Sequence, residues 1–171
     1  MIIKGMKKIK RLAVVLLCAA LTVGCDGPKK ADTLAKDIID QWHLVENPLI
    51  SNSTEDIIDV YVEFKLDGTF TLYQKDFSTP IYYNVYKGSY VVGEGGIITG
   101  KYSDGKNWGA TSGYKAEVTK VGEEATLTLT NVDKPEDVSV YEQCTIPSDV
   151  KGATVKMTTR GEEMFEIVRF L

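Results

Sequence analysis

The stretch FKLDGTF, residues 64–70, decides how this chain folds. Apolar and polar residues alternate on both sides of it, which is the pattern of β-strands that bury one face. A two-residue turn in its middle would place Phe64 opposite a threonine and mix the two faces. A three-residue loop over residues 66–68 places Phe64 opposite Phe70 and puts Gly68 at the third loop position, where the backbone is left-handed. The stretch therefore predicts a hairpin with a three-residue loop.

A second hairpin follows from the same test on residues 114–131. A two-residue turn at Gly122 and Glu123 pairs Val118 with Leu127, which keeps apolar residues on one face. Glycine at the first central position suits a type II′ turn. We therefore expect two strands joined by a tight turn in this segment.

The same alternation predicts further strands at residues 81–92, 97–103, 138–146 and 164–171, with one more around Trp42. Two glycine-rich segments, residues 93–96 and 103–113, predict loops. Eight or nine short strands are typical of a barrel or a sandwich, and consecutive hairpins favour the barrel. We expect an all-β fold, a single antiparallel up-and-down β-barrel of about eight strands.

A short helix is expected before the first strand. Asp32 suits its N-cap position, and Leu34, Ile38 and Ile39 would share one face. The sequence shows neither an internal repeat nor an interdomain linker after this helix. Residues 36–171 are therefore expected to form one barrel domain.

The first 24 residues have the composition of a secretory signal. Five basic residues precede an apolar run over residues 12–21, which is about half the length of a membrane-spanning helix. Cys25 follows residues 22–24 (TVG) and resembles the lipobox cysteine of bacterial lipoproteins, which is lipidated and becomes the first mature residue. An ordinary signal peptide with an incidental cysteine, and an uncleaved membrane anchor, are the alternatives. We expect a lipoprotein signal peptide over residues 1–24.

A lipidated Cys25 would anchor the protein through a hydrophilic tether, residues 25–35. More than one acyl chain gives firm membrane attachment. Asp26 resembles an inner-membrane retention signal of some Gram-negative bacteria, whereas charged residues here accompany export to the surface in others. We expect a lipid-anchored protein of the cell envelope, on the outer membrane, with its periplasmic or surface face left open.

Net charge excludes some partners. Without residues 1–24 the chain keeps 15 Lys and Arg against 24 Asp and Glu, a formal charge of −9. Nucleic acids and anionic lipid surfaces both reward clustered positive charge. We therefore expect no nucleic-acid partner, and a membrane contact that depends on the lipid anchor.

Three motifs resemble those of a known family. Residues 39–44 (IDQWHL) resemble the Gly-x-Trp opening of the first lipocalin strand, although Asp40 stands where the family usually has glycine. Residues 64–70 resemble the family's Phe-x-x-Asp-Gly-Thr-Phe hairpin, and residues 86–90 (YKGSY) resemble the strand that follows. Residues 36–146 therefore resemble a lipocalin-like (calycin) domain of the kind found in Bacteroides lipoproteins. The resemblance implies that Trp42 plugs the closed end of a barrel whose open end binds small apolar or amphipathic molecules.

Residues with catalytic or metal-binding chemistry are few. His43 is the one histidine of the chain. It lies in the expected closed-end strand with no Gly-x-Ser-x-Gly motif to serve, and the several ligands of a zinc site are not found at suitable spacing. The carboxylate pairs at 123–124 and 162–163 lie beside glycines and are typical of solvated turns. Cys144 would be the one cysteine left besides Cys25, and its alternating surroundings are typical of a small buried residue. We expect no catalytic residue, no metal, no cofactor and no enzymatic activity.

Aromatic residues are the more informative candidates for binding. Tyr82, Tyr86 and Tyr90 recur at i, i+4 and i+8 on one strand face, and Trp108 lies in the glycine-rich loop. Phenol hydroxyls on such a face could orient an amphipathic or sugar-like ligand. We predict these four residues as the ligand-binding set. In the alternative interpretation, the rings only pack between strands or lie on an exposed face.

The leading functional hypothesis is a membrane-anchored lipoprotein whose barrel binds a small apolar or amphipathic molecule in the cell envelope. The alternative is a filled barrel that acts as a non-enzymatic interaction or scaffold module and has a protein partner. A packed interior with an exposed apolar patch near Trp108 would favour the alternative. A third hypothesis, an isomerase- or hydrolase-like enzyme, needs two titratable groups that converge inside the barrel.

Overall fold

The computed structural model describes residues 33–48, 59–76, 82–152 and 169–171. In these ranges the chain forms a closed barrel of antiparallel strands in sequence order, with the last strand pairing back onto the first. The eight strands are β1 Gln41–Glu46, β2 Val60–Phe64, β3 Thr69–Asp76, β4 Tyr82–Val92, β5 Ile97–Tyr102, β6 Tyr114–Val121, β7 Glu124–Asn131 and β8 Val138–Gln143. The predicted all-β, up-and-down barrel is therefore confirmed.

Four predictions fall outside the described residues. They are the signal peptide over residues 1–24, the lipid on Cys25, the N-cap at Asp32 and most of the strand at 164–171. The expected helix is seen in part, because residues 33–37 are helical and Ile38 after them is fully buried. None of the helices in the described ranges has the length and apolar character needed to cross a membrane.

Two strand predictions are corrected at their ends. β8 finishes at Gln143 rather than at residue 146, because the chain leaves the sheet there: the Ile146 N–H donates to Oε1 of Gln41, and Ser148–Lys151 forms a short helix. Residues 169–171, which end the predicted strand 164–171, are not in a strand. Instead, Leu171 is buried in the barrel core and Phe170 packs against it.

Both hairpin predictions are confirmed in register. Phe64 lies opposite Phe70, and Gly68 has a φ of 77°, the left-handed conformation that the three-residue loop requires. In the second hairpin Val118 lies opposite Leu127, and Gly122 has a φ of 65°. Local alternation therefore determines which side chains face the interior in both places.

The barrel interior is one hydrophobic core. Trp42 is 1% exposed near the end where β1 begins, and its indole Nε1 donates to the Ile38 oxygen at 2.9 Å. The carboxylate of Asp40 accepts hydrogen bonds from the Gln41 N–H and from Nε2 of Gln143. It thereby links the start of β1 to the end of β8.

A second, smaller apolar cluster covers the outside of the barrel. Tyr73, Ile146 and Val150 are buried in it, and Cys144 packs against it half-buried. Burial raises the pKa of the Cys144 thiol, as expected for a packing residue rather than a reactive one. His43 also lies outside, where its Nε2 is 2.8 Å from Oδ1 of Asp59.

Candidate functional site

Two of the predicted tyrosines of β4, Tyr86 and Tyr90, share the inner face of the barrel. Tyr86 lies opposite Leu72, and Tyr90 lies opposite Gly100, at positions that face the interior. Tyr82 occupies the same alternation in β4, opposite Asp76, but its side chain lies outside the described part of the structure. The structure therefore brings Tyr86 and Tyr90 to one surface, and the binding role of the four residues stays a prediction.

Tyr90 and Trp108 are held inside an aromatic core. Tyr90 is 8% exposed, and its hydroxyl donates to the Lys65 oxygen at 2.9 Å. The Tyr90 ring stands edge-on to Phe64 at 4.9 Å between centroids. Trp108 is 4% exposed and packs edge-on against Phe70 at 5.2 Å. Both residues are therefore buried in the interior core, and their role in ligand binding stays a prediction.

The loop after β5 carries Trp108 into the barrel. Residues 106–108 run back beside β5, because the Tyr102 N–H donates to the Lys106 oxygen and the Trp108 N–H donates to the Gly100 oxygen. A Cβ at Gly100 would lie only 2.1 Å from Cε2 of Trp108, so the ring rests directly on the glycine backbone. Part of the expected loop over 103–113 therefore folds back along β5 and places Trp108 in the barrel core.

The end of the barrel where β5 finishes carries a cluster that we call the mouth and define by Tyr86, Tyr102, Asp104 and Arg169. The guanidinium carbon of Arg169 lies 4.6 Å from the ring centroid of Tyr86 and 4.5 Å from that of Tyr102. Its Nη2 donates to Oδ2 of Asp104 at 2.6 Å. This hydrogen bond lowers the pKa of the Asp104 carboxyl to about 2. At the mouth a cation of the chain itself therefore lies against two aromatic rings and a carboxylate.

Residues after Arg169 complete the contact with the mouth. Leu171 is 2% exposed within the interior core, and Phe170 packs against the same core half-buried. The Tyr102 hydroxyl donates to the Leu171 oxygen at 2.8 Å, and burial raises the pKa of this tyrosine. Residues 169–171 thus place a cation, an acceptor and an aliphatic side chain in one site.

A cavity of about 170 Å³ lies at the mouth. Its lining includes Val85, Lys87 and Ser103 beside the four mouth residues. This volume is well below the roughly 300–1,000 Å³ of sites that enclose a drug-sized molecule. The cavity alone therefore suits a head group or a short chain.

Two buried donors near this region lack an acceptor among the described residues. They are Nε1 of Trp108 in the aromatic core and Nη1 of Arg169 at the mouth. Buried donors are nearly always paired in folded proteins, with protein, water or ligand. Each is therefore open to an acceptor that lies outside the described residues.

A larger groove lies at the opposite end of the barrel. It has a volume of about 530 Å³ and is lined by Asp40, Glu123, Glu124 and Glu142 among other polar residues. Its three glutamates are exposed to solvent. In the described ranges no group of three or more His, Cys, Asp or Glu could hold a metal ion.

Sequence reasoning missed three of the four residues that define the mouth, all except Tyr86. Tyr102 lies in the predicted strand 97–103, two positions after Gly100, and this alternation could have placed it on the inner face. Arg169 and Leu171 lie in the final segment, where the family motifs give no guide. Their approach to Tyr86 and Tyr102 is a long-range contact that leaves no local pattern.

An eight-stranded antiparallel up-and-down barrel is consistent with a lipocalin-like fold. Compared with known proteins, the chain matches no family model, no curated protein and no solved structure.

Proposed function

We propose that this chain is a lipid-anchored lipoprotein of the bacterial cell envelope, of the Bacteroides type, whose lipocalin-like barrel binds one small amphipathic molecule at the mouth. The observation that carries the proposal is how the mouth receives residues 169–171. A cation lies against two tyrosine rings, an oxygen accepts from the Tyr102 hydroxyl, and an aliphatic side chain is buried. A surface that satisfies these three groups suits a molecule with a polar head and an apolar end.

The filled interior supports a ligand at the mouth rather than along the barrel axis. Tyr90 and Trp108 already contact other rings on the inner face, so a long ligand would have to displace them. Removing such packed rings from their contacts costs several kcal/mol. Under this proposal Tyr86 touches the ligand, whereas Tyr90 and Trp108 support the wall beneath it.

Native mass spectrometry tests the binding proposal. The protein is produced from residue 26 onward, which retains every described residue, and its mass is compared before and after denaturation. We expect a small bound species in the wild type, retained in Lys120→Ala and lost in Tyr86→Leu. Lys120 is the matched control because it forms an exposed ion pair with Asp37 away from the mouth. A bare mass in all three proteins, before and after incubation with an envelope lipid extract, would contradict the proposal.

Lipid attachment is tested separately in cells. Growth with an alkyne-tagged fatty acid should label the wild-type protein and a Cys144→Ser variant. Cys25→Ser should lose the label, and the protein should then leave the outer-membrane fraction. Equal labelling of both variants would rule out Cys25 as the acylation site.

A second candidate function is a filled barrel that serves as a non-enzymatic interaction or scaffold module of the envelope. It is favoured by the packed cluster around Trp108, which leaves little interior space. A photo-crosslinking residue placed at Lys87, beside the mouth, tests it against one placed at Lys115. A defined protein adduct from Lys87 alone, together with a bare native mass, would favour this candidate.

A further inference from the structure

The mouth is built as a corner for a cation. The rings of Tyr86 and Tyr102 meet at an interplanar angle of 71° with centroids 6.0 Å apart, and the Arg169 guanidinium lies over both. The Asp104 carboxylate adds a third side at 2.6 Å. Two aromatic faces and one carboxylate favour positive charge and disfavour negative charge at the same point.

An apolar position lies next to this corner. The Leu171 side chain is buried in the barrel core, two residues beyond the cation, and the Tyr102 hydroxyl holds the oxygen of the same residue. Cation and aliphatic group therefore enter the mouth together, joined by a short link. A ligand of matching chemistry would reproduce both contacts.

Arg169 brings more donors to the corner than the described residues satisfy. Its Nη1 is buried without an acceptor among the described residues. An unpaired buried donor carries a desolvation cost that an exposed one does not. A cation with fewer N–H groups, such as a substituted ammonium, would avoid that cost in the same place.

We propose that the mouth binds an organic cation joined to an aliphatic group, a guanidinium or ammonium amphiphile, and that Arg169 occupies the site until such a ligand displaces it. This inference rests on the proposed function and names the ligand class. The chain's own segment then acts as a tethered competitor. The apparent association constant is then the intrinsic one multiplied by the fraction of time that the site is free.

Titration with matched amphiphiles tests the inference. Dodecylguanidinium, a neutral dodecyl glycoside and dodecanoate are each added below their micelle concentrations to the protein from residue 26 onward, and binding is measured calorimetrically. A peptide ending in Arg-Phe-Leu supplies the same cation and aliphatic group from a protein source. We expect dodecylguanidinium to bind more tightly than the other two amphiphiles by roughly tenfold, the size of one favourable cation–π corner.

Variants of the mouth then distinguish an Arg169 that competes with the ligand from one that only supports the fold. Arg169→Ala should tighten dodecylguanidinium binding by roughly tenfold, because the competitor is gone. Asp104→Asn should weaken it, while Lys120→Ala should leave it unchanged. If Arg169→Ala fails to fold, the cation site is tested through Tyr86 instead. Tyr86→Phe keeps the aromatic face, whereas Tyr86→Leu removes it.

The outcomes distinguish this inference from the proposed function. Equal binding of all three amphiphiles, unchanged in Asp104→Asn, would overturn the cation site and leave an amphiphile carrier. No binding of any amphiphile or of the peptide to wild type or Arg169→Ala would overturn both. Binding of the peptide alone, weakened in Asp104→Asn, would support the cation site and assign its ligand to a protein source.

Discussion

Gly100→Ala should be among the most damaging single-methyl additions in this barrel. Gly100 lies on the inner face of β5, and an added Cβ would lie 2.1 Å from Cε2 of Trp108, well inside a normal contact distance. Relief requires the indole to move by more than 1 Å, roughly the gap to an ordinary 3.4–4 Å contact. The ring also packs on Phe64, Phe70 and Tyr114, so these contacts would change with it.

Overpacking of this kind costs about 1–3 kcal/mol, and partial loss of a buried tryptophan's contacts adds to it. Against this, alanine reduces the entropy of the unfolded chain by about 0.4–1 kcal/mol. We therefore expect a net loss of about 2 kcal/mol in the free energy of unfolding. With a urea m-value of about 2 kcal/mol/M, the unfolding midpoint should fall by about 1 M.

Urea unfolding followed by tryptophan fluorescence measures this shift. Gly109→Ala is the matched control, because its Cβ would meet only the Tyr114 hydroxyl oxygen at an ordinary 3.6 Å. It should change the stability by less than about 0.5 kcal/mol. A Gly100→Ala protein as stable as the wild type, or a Gly109→Ala protein equally destabilised, would refute the packing described for Trp108.

Two further predictions concern polar contacts. Tyr102→Phe should lower the free energy of unfolding by about 1–3 kcal/mol, because it leaves the buried Leu171 oxygen unpaired; urea unfolding measures this, and an unchanged midpoint would contradict it. The pKa of Asp59 lies below its ordinary 3.8. Burial acts to raise this pKa, but the hydrogen bonds from His43 and Tyr83 act to lower it and outweigh the burial. Ionised Asp59 therefore stabilises the folded protein at pH values above its unfolded pKa, and this stabilisation is lost as the pH falls through its folded pKa. Asp59→Asn should therefore lose less stability than the wild type on acidification below about pH 5. If the stability of the two proteins fell in parallel with pH, the assignment would be contradicted.

The sequence predicts the hairpins well because their register depends on neighbours a few residues away. Phe64 and Phe70 share a face in any register that keeps apolar residues together, and glycine at position 68 fixes the loop length. The inward orientation of the Trp108 ring, in contrast, is not set by residues near it in the sequence. It follows from the space above Gly100, which becomes visible only once the strands are closed into a barrel.

The mouth is harder still to predict, because it joins distant parts of the chain. Tyr86 and Tyr102 lie on neighbouring strands, but Arg169 reaches them from 65 residues beyond Asp104. A family motif could have supplied this contact, yet the motifs found here stop before residue 147. Tyr86 and Tyr90 share one face of β4, as the alternation indicates, whereas no local pattern points to the Arg169 group that lies against Tyr86.

The short pairing between β5 and β6 has a consequence for how the barrel moves. The two strands pair only at Ile97 with Lys115 and at Ile98 with Tyr114, whereas β6 and β7 pair along their full length. Beyond that point the wall is continued by residues 106–108, the same segment that places Trp108 inside. Thermal opening should begin where fewest backbone bonds must break, so amide hydrogens here should exchange before those between β6 and β7. The side wall, rather than either end, would then be the first route by which water reaches the core.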